Sequence, residues 1–537
     1  MPRIPRLQLI LSALFVMAVL VGYWLTRTLE PPEEQTSQRS AQPAAQNRPS
    51  TLAPNKPLTR PARGTHHVAP QDAIPRFAIA NERIIRFKDE SAYHKFLASL
   101  KDRGLRLLGK SDRLQAVRFG WSNPFSLGDI DGAELGYNYL VTLPVPPNAE
   151  AQAGAVGFGP NALSWLGIDN DNTLWGKGVT VAVLDSGVND HTALNRGNGK
   201  VTHTVLTELA EGDTQLGHGT AVASIISGDH PRTPGVAPAS DLLSIRITDA
   251  QGSSDSFTLA EGILLAADSG ADIINISMGS YGDSALVAEA VQYAQGKGVV
   301  IVASSGNEGM EAIAYPAAYD GVIAVGAVEG NGSHLHFSNS GENLDISAPG
   351  FQVSAAWGED QLTAFSGTSA SAPFVSGAIA ATMSENPHMT AQQAADLVLR
   401  VTNDAGYPGD DPAYGSGILA LDRVAESGTP GIYDAAISSQ FLIPADDATL
   451  LPQVLVTVQN QGTETLINSL VNIVSPSGTQ EVNISSLAPG QIYTIRVPVA
   501  IPSNGDPVSV NSSVQSAEVD KDTRNNSRSD SFAQDQP

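Results

Sequence analysis

Between about residues 155 and 427 the chain alternates continuous apolar runs with stretches of helical period. The runs "VTVAVLD", "LLSIRI", "DIINIS", "VVIVAS" and "VIAVGAV" are rich in Val, Ile and Ala throughout, and "FTLAEGILLAADSG" and "ALVAEAVQYAQGKG" lie among them. Strands that are apolar on both faces and separated by helices predict an α/β unit, a parallel sheet covered on both sides. In such sheets sites gather at the carboxyl ends of the strands.

The flanks carry different patterns. Residues 76–143 hold "RIIRFK", a helical stretch "ESAYHKFLASLKDRG" ending at Gly104, then "RLQAVRF" and "YNYLVTL". Together they predict a small α+β module over 76–150. After "GTPGIYD" the helical period disappears, and short alternating segments such as "LPQVLVTVQNQG" and "QIYTIRVPVAI" predict an antiparallel β-sandwich over 434–532. Residues 31–75 are Pro, Gln, Ser, Ala and Arg with few large apolar side chains, a composition that does not offset the entropy of folding. They read as a tether of roughly 35 Å coil span.

Residues 1–30 read as a signal or anchor. A predominantly apolar run from Leu7 to Leu25 follows Arg3 and Arg6. As a helix it spans about 28 Å, against a bilayer core of about 30 Å. No small-x-small cleavage site follows directly, which favours an uncleaved anchor over a cleaved signal. The basic flank then puts the rest of the chain outside the cytoplasm, membrane-anchored or secreted after processing.

Composition narrows the chemistry. There are no cysteines among the 537 residues, which excludes thiol catalysis, disulfides and Cys-based zinc sites. The first 120 residues carry 19 Lys and Arg against 9 Asp and Glu, leaving 12 against 46 for the rest, so a front of +10 precedes a body of −34. An acidic body repels nucleic acid, and opposite charge favours association of front and body.

The stretch "FSGTSASAPFVSG" holds Ser366, Ser369, Ser371 and Ser376. Ser369 stands where a helix should begin, and by default such a serine is an N-cap. As a nucleophile it needs a base, and the base needs a third group to hold its tautomer. "VAVLDSGV" puts Asp185 at the tip of a buried strand, and "LGHGTAVASIIS" puts His218 between glycines at the head of a helix. Alone, the first reads as a turn residue and the second as a polar cap; together they supply both missing groups. "IVASSGNEG" adds Asn307 in a Gly-bounded turn, where its side-chain NH2 and the N–H of Ser369 offer two donors to a developing oxyanion. Alone, such an Asn is a turn residue.

"VAVLDSG", "GHGT", "SSGNEG" and "GTSASAP", in this order, resemble the four signatures of the subtilisin-like serine proteases, the subtilases. The resemblance implies that Asp185 orients His218, that His218 is general base and then acid, that Ser369 is the nucleophile, and that Asn307 stabilises the oxyanion. It also implies a substrate cleft edged by Ser277, Met278 and Gly279 on one side and by Gly252 and Ser253 on the other. Ser304, Ser305, Gly306 and Ala314 line the pocket for the residue before the cut. Ala314 stands where the family has glycine, which implies a smaller pocket. The relatives that use a glutamate base are disfavoured by "GHGT", and a histidine base implies activity at neutral to alkaline pH.

The resemblance implies further parts. The module at 76–150 is similar to a subtilase propeptide that inhibits the enzyme until it is cut, with the cut expected between about 143 and 160. The unit at 434–532 resembles CARDB-type or other immunoglobulin-like adhesion modules. No cofactor is expected: Ala193 and the short "ISGDHPRTPGVAP" depart from the family's strong calcium site, and "IDNDNTLW" reads as a turn more readily than as a weak Ca2+ site. Two function classes remain: an exported serine endopeptidase acting on protein or peptide substrates, or a non-catalytic surface protein that displays an adhesive sandwich on a protease fold.

Overall fold

The computed structural model describes residues 75–533, apart from 123–129, 131, 146–153, 169–170, 195–198, 208–216, 446–450 and 503–505. The apolar run Leu7–Leu25, the tether up to residue 74 and residues 146–153 of the stretch expected to be cut therefore lie outside the described residues, as do Asp169 and Asn170 of "IDNDNTLW". Among the described residues no helix is long and apolar enough to cross a membrane.

The N-terminal module is a four-stranded antiparallel sheet in the order Arg106–Ser111, Ala116–Gly120, Glu82–Phe87, Ala133–Gly136. The helix Glu90–Ser99 starts at Asp89, whose carboxylate accepts from the Ala92 N–H at 2.8 Å. Successive side chains of a strand face opposite ways. Ile85 and Phe87 accordingly pack under the helix with Tyr93, Phe96, Val117 and Phe119, while Ile84, Leu114 and Ala116 face the α/β unit and join its core. One expectation is corrected here. Of "YNYLVTL" only Leu140–Thr142 is a strand, and it leaves the module's sheet to pair with Ser253–Asp255 of the α/β unit. Ala133–Gly136 takes the fourth place instead, and Val141 buries its side chain in the core of the α/β unit.

The α/β unit is built on a nine-stranded sheet in the order Thr402–Asn403, Ile418–Leu419, Ile346–Pro349, Val322–Val328, Val300–Ser304, Ile273–Ile276, Thr180–Asp185, Asp241–Arg246, Val201–Val205. All neighbours are parallel except Thr402–Asn403 against Ile418–Leu419. Both faces are covered, which explains the uninterrupted apolar runs: Val181 and Val183 face the helices His218–Ser227 and Thr368–Glu385, while Ala182 and Leu184 face Ser256–Asp268 and Ala285–Gly296. The chain leaves Thr180–Asp185 toward one side of the sheet and later returns past it to the other. The reversal opens a crevice at the carboxyl end of that strand, at Asp185.

The C-terminal unit packs a three-stranded antiparallel sheet (Ala435–Ile443, Gln453–Asn460, Ile492–Pro498) on a four-stranded one (Gly478–Leu487, Leu466–Ser475, Val508–Gln515, Ser527–Phe532). Alternate residues such as Val454, Val456 and Val458, or Val471 and Ile473, form the shared core.

Candidate active site

Asp185 ends its strand fully buried, and both carboxylate oxygens accept from His218 Nδ1, at 2.9 and 3.0 Å. Oδ1 also accepts from the Ser186 N–H at 2.6 Å. His218 opens the helix His218–Ser227 behind Gly217, whose φ of 83° lies in the left-handed region and whose missing Cβ would stand 2.8 Å from the Trp357 ring. The imidazole meets the ring of Phe365 edge-on, with centroids 5.1 Å apart. With Nδ1 held by Asp185, Nε2 is buried and has no hydrogen-bond partner among the described residues. A buried nitrogen lone pair without a donor is costly unless it is put to use.

Ser369 is the second residue of the helix Thr368–Glu385 and is 1% exposed. Its hydroxyl does not reach His218; Oγ donates to the Ser277 carbonyl at 3.0 Å. Beside it, Asn307 Oδ1 accepts from both the N–H and the hydroxyl of Thr368, each at 2.9 Å. Two donors on the oxygen decide which way the amide faces and leave Nδ2 to donate. Gly367, at φ 129°, makes room for it, since a Cβ there would lie 2.7 Å from Asn307 Nδ2. The other serines of "FSGTSASAPFVSG" are structural. Ser366 Oγ accepts from the Gln352 N–H, Ser371 Oγ donates to the carbonyls of Ala348 and Pro349, and Ser376 Oγ donates to Asn275.

The two expected cleft edges stand on either side of the strand Leu140–Thr142. Thr142 and Gly279 exchange two backbone hydrogen bonds, of 3.1 and 3.2 Å. Thr142 is also opposite Ser253, and the Leu143 N–H donates to the Gly252 carbonyl at 3.1 Å. Met278 turns its side chain into the core and offers the cleft only backbone. Ala314 is buried beside Gly279, where an added Cβ would come within 3.1 Å of Ala314 Cβ. Its N–H donates to the Ser305 carbonyl, while the Gly306 N–H reaches the Thr368 hydroxyl. Ser304 is buried at the end of its strand.

Several supporting residues had no motif of their own. Asn339, fully buried, accepts from the N–H groups of Glu308 and Met310 and donates to the Ser305 carbonyl and the Tyr281 hydroxyl, bracing the loop that carries Asn307. Tyr281 in turn donates to Glu308, and burial together with that carboxylate pushes its hydroxyl pKa up. Asn275 links Ser376 to Ser277 Oγ, which donates to the Ser369 carbonyl at 3.2 Å. The available signal was an asparagine in the otherwise apolar run "DIINIS".

Comparison with known proteins matches residues 176–417 to the family described as the subtilase family. The chain is 34% identical over 304 residues to the thermostable alkaline protease of Halalkalibacterium halodurans, covering 55% of this chain and 82% of that protein. It is 36% identical over 248 residues to Subtilisin Savinase of Lederbergia lenta, covering 46% of this chain and 90% of that one. Among solved structures, Sphericase is similar at 33% identity and a TM-score of 0.43, over 48% of this chain and 96% of its own.

Proposed function

We propose that this chain, which belongs to the subtilase family, is an exported serine endopeptidase held as a zymogen by its own N-terminal module. The observation that carries the reading is the buried Asp185–His218 pair, whose Nε2 is buried and has no hydrogen-bond partner among the described residues. Rotation of the Ser369 hydroxyl from the Ser277 carbonyl to Nε2 hands its proton to the histidine as Oγ attacks a peptide carbonyl. The negative charge then falls between Asn307 Nδ2 and the Ser369 N–H, at the positive end of a helix. His218 returns the proton to the leaving amine, and water hydrolyses the acyl-enzyme by the same route in reverse. Asp185 holds the tautomer and stabilises the imidazolium.

Peptide substrates lie where Leu140–Thr142 now lies, and this supports the inhibitory reading of the module. Arg86 with Glu289, Arg113 with Asp268 and Arg118 with Asp255 tie the module to the α/β unit, in line with the charge asymmetry of the sequence. Export rests on the apolar stretch Leu7–Leu25, with the segment retained as an anchor or shed on processing. The C-terminal two-sheet unit is read as a CARDB- or immunoglobulin-like adhesion module.

A fluorophosphonate probe tests the reading: the parent chain is labelled and Ser369→Ala is not. Equal labelling of the two sinks the nucleophile assignment and leaves the non-catalytic surface protein. The expected fall in kcat for Ser369→Ala is on the order of 10⁶, the loss found when the triad serine of subtilisin is removed.

A further inference from the structure

Asn307 sits in a loop that is tied to the cleft edge on both sides of it. Ahead of Asn307, the Ser305 carbonyl accepts from the Ala314 N–H at 2.9 Å, and the next residue, Tyr315, exchanges backbone hydrogen bonds of 2.9 and 2.8 Å with Ser280. Ser280 continues the edge Ser277–Gly279, so this route joins the start of the loop to that edge. A single tie of this kind is a hinge: it fixes a distance and leaves an angle free.

The second tie lies beyond Asn307. Glu308 Oε2 accepts from the Asn307 N–H at 2.9 Å, from Asn339 Nδ2 at 3.3 Å and from the Tyr281 hydroxyl. Tyr281 follows Ser280 directly, so it brings its hydroxyl from the segment that forms the cleft edge. Its oxygen also accepts from Asn339 Nδ2 at 2.6 Å. These groups converge over Gly306, where an added Cβ would lie 2.2 Å from Asn339 Nδ2, 2.8 Å from the Tyr281 hydroxyl and 2.9 Å from Glu308 Oε2. With Ser305 held on one side and Glu308 on the other, the residue between them can no longer swing.

Resting on the serine endopeptidase reading above, we infer that Tyr281 is a positioning residue for the oxyanion donor. A peptide that pairs with Ser277–Gly279 has its carbonyl placed by the cleft edge, whereas Asn307 Nδ2 is placed by the loop. The Tyr281 hydroxyl on Glu308 sets the second against the first. The carbonyl oxygen carries its charge only in the transition state, and a donor displaced from that position loses much of its effect. Loss of the hydroxyl therefore lowers kcat and leaves KM in place.

The test uses the full chain after maturation, with active sites counted by fluorophosphonate labelling and a soluble peptide p-nitroanilide as substrate. Tyr281→Phe is expected to lower kcat about tenfold with KM within about twofold of the parent, and Asn307→Ala to lower kcat by about 10²–10³. A residue that acts through Asn307 has nothing left to position once the amide is gone, so the double variant is expected at the rate of Asn307→Ala alone. Labelling rates of the uncut chains, which need no maturation, should fall in the same order. The inference is overturned if Tyr281→Phe keeps the parent kcat, or if it raises KM instead, which puts the hydroxyl in substrate binding. It is also overturned if the two losses multiply in the double variant, the mark of a general structural role. If Asn307→Ala works at the parent rate, the oxyanion assignment falls and this inference with it. If the parent is not labelled while an authentic subtilisin in the same buffer is, the serine endopeptidase reading itself falls.

Discussion

Two units are joined to the α/β unit, and they are joined by different physics. The N-terminal module contributes an apolar face (Ile84, Leu114, Ala116), one strand in the cleft, and a rim of Arg–carboxylate pairs in which Arg86 and Arg113 remain partly open to water. The C-terminal unit is held by a buried polar web. Arg423, 7% exposed, donates to the carbonyls of Gln461 and Thr402 and to Asn403 Oδ1. Gln459 donates to the Thr402 carbonyl and accepts from the Asp404 N–H. A surface whose charges already face water loses little when it separates; one that strands a guanidinium and its carbonyls loses much. The first joint is therefore suited to being opened, the second to being permanent.

The sharpest way to break this contrast is Arg423→Met. Burial lowers the Arg423 pKa to about 10 against the pull of Asp422 and Asp434, so the group is still a cation at neutral pH. Removing it leaves the part-buried Gln461 carbonyl and Asn403 Oδ1 without this donor, at about 1–3 kcal/mol each. We expect a loss of about 3 kcal/mol in urea unfolding, with the C-terminal unit melting as a separate, earlier transition. A variant that unfolds with the parent's midpoint in one step removes the basis for calling this joint permanent.

The same contrast explains what was readable in the sequence. The residues of the candidate site sit at chemically marked places: Asp185 ends a run of buried aliphatics, His218 follows a glycine at a helix start, and Ser369 follows Gly-Thr at another. Uninterrupted Val and Ile runs revealed the sheet because both faces are covered. Residues that act through a partner far along the chain were not readable. Thr368 orients Asn307 across 61 residues, and Asn339 braces a loop 31 residues away. Nor did the pattern of "YNYLVTL" reveal which sheet it joins, since an alternating strand fits any edge of the right register. The joint around Arg423 had no motif, because two of its three acceptors are backbone carbonyls.

A smaller effect follows from Asp404, which lies in the permanent joint and accepts from the Gly409 N–H at 2.7 Å and from the Ser438 hydroxyl of the C-terminal unit at 3.2 Å. Burial pushes its carboxyl up to about 6 from the ordinary 3.8. A raised carboxyl is protonated in the folded state where the unfolded chain is already charged. Its contribution to stability is present below 3.8 and lost as pH rises through about 6. Asp404→Asn keeps the oxygen and removes the charge, so it should stabilise the protein at pH 8, by about 3 kcal/mol at most, and change little at pH 4. Thermal melts of both proteins across this range check the sign; an Asn variant that is less stable at pH 8 means that the carboxylate is held by its hydrogen bonds more strongly than burial penalises it.

The smallest expected effect separates the two joints by salt alone. Pairs such as Arg86 with Glu289 and Arg113 with Asp268 are partly exposed, and the Debye length falls from about 10 Å at 0.1 M to about 3 Å at 1 M. Each such pair contributes little by itself, so raising NaCl over this range should speed fluorophosphonate labelling of the uncut chain by about twofold to fivefold as the module loosens. The urea midpoint of the same chain should barely move, because Arg423 is screened from ions by the protein around it. Arg113→Ala should reproduce part of the salt effect at 0.1 M and reduce what further salt adds, since a pair already removed cannot be screened. If salt moves the urea midpoint while the labelling rate stays unchanged, the module is held by its apolar face and cleft strand rather than by its charges, and the two joints differ in strength but not in kind.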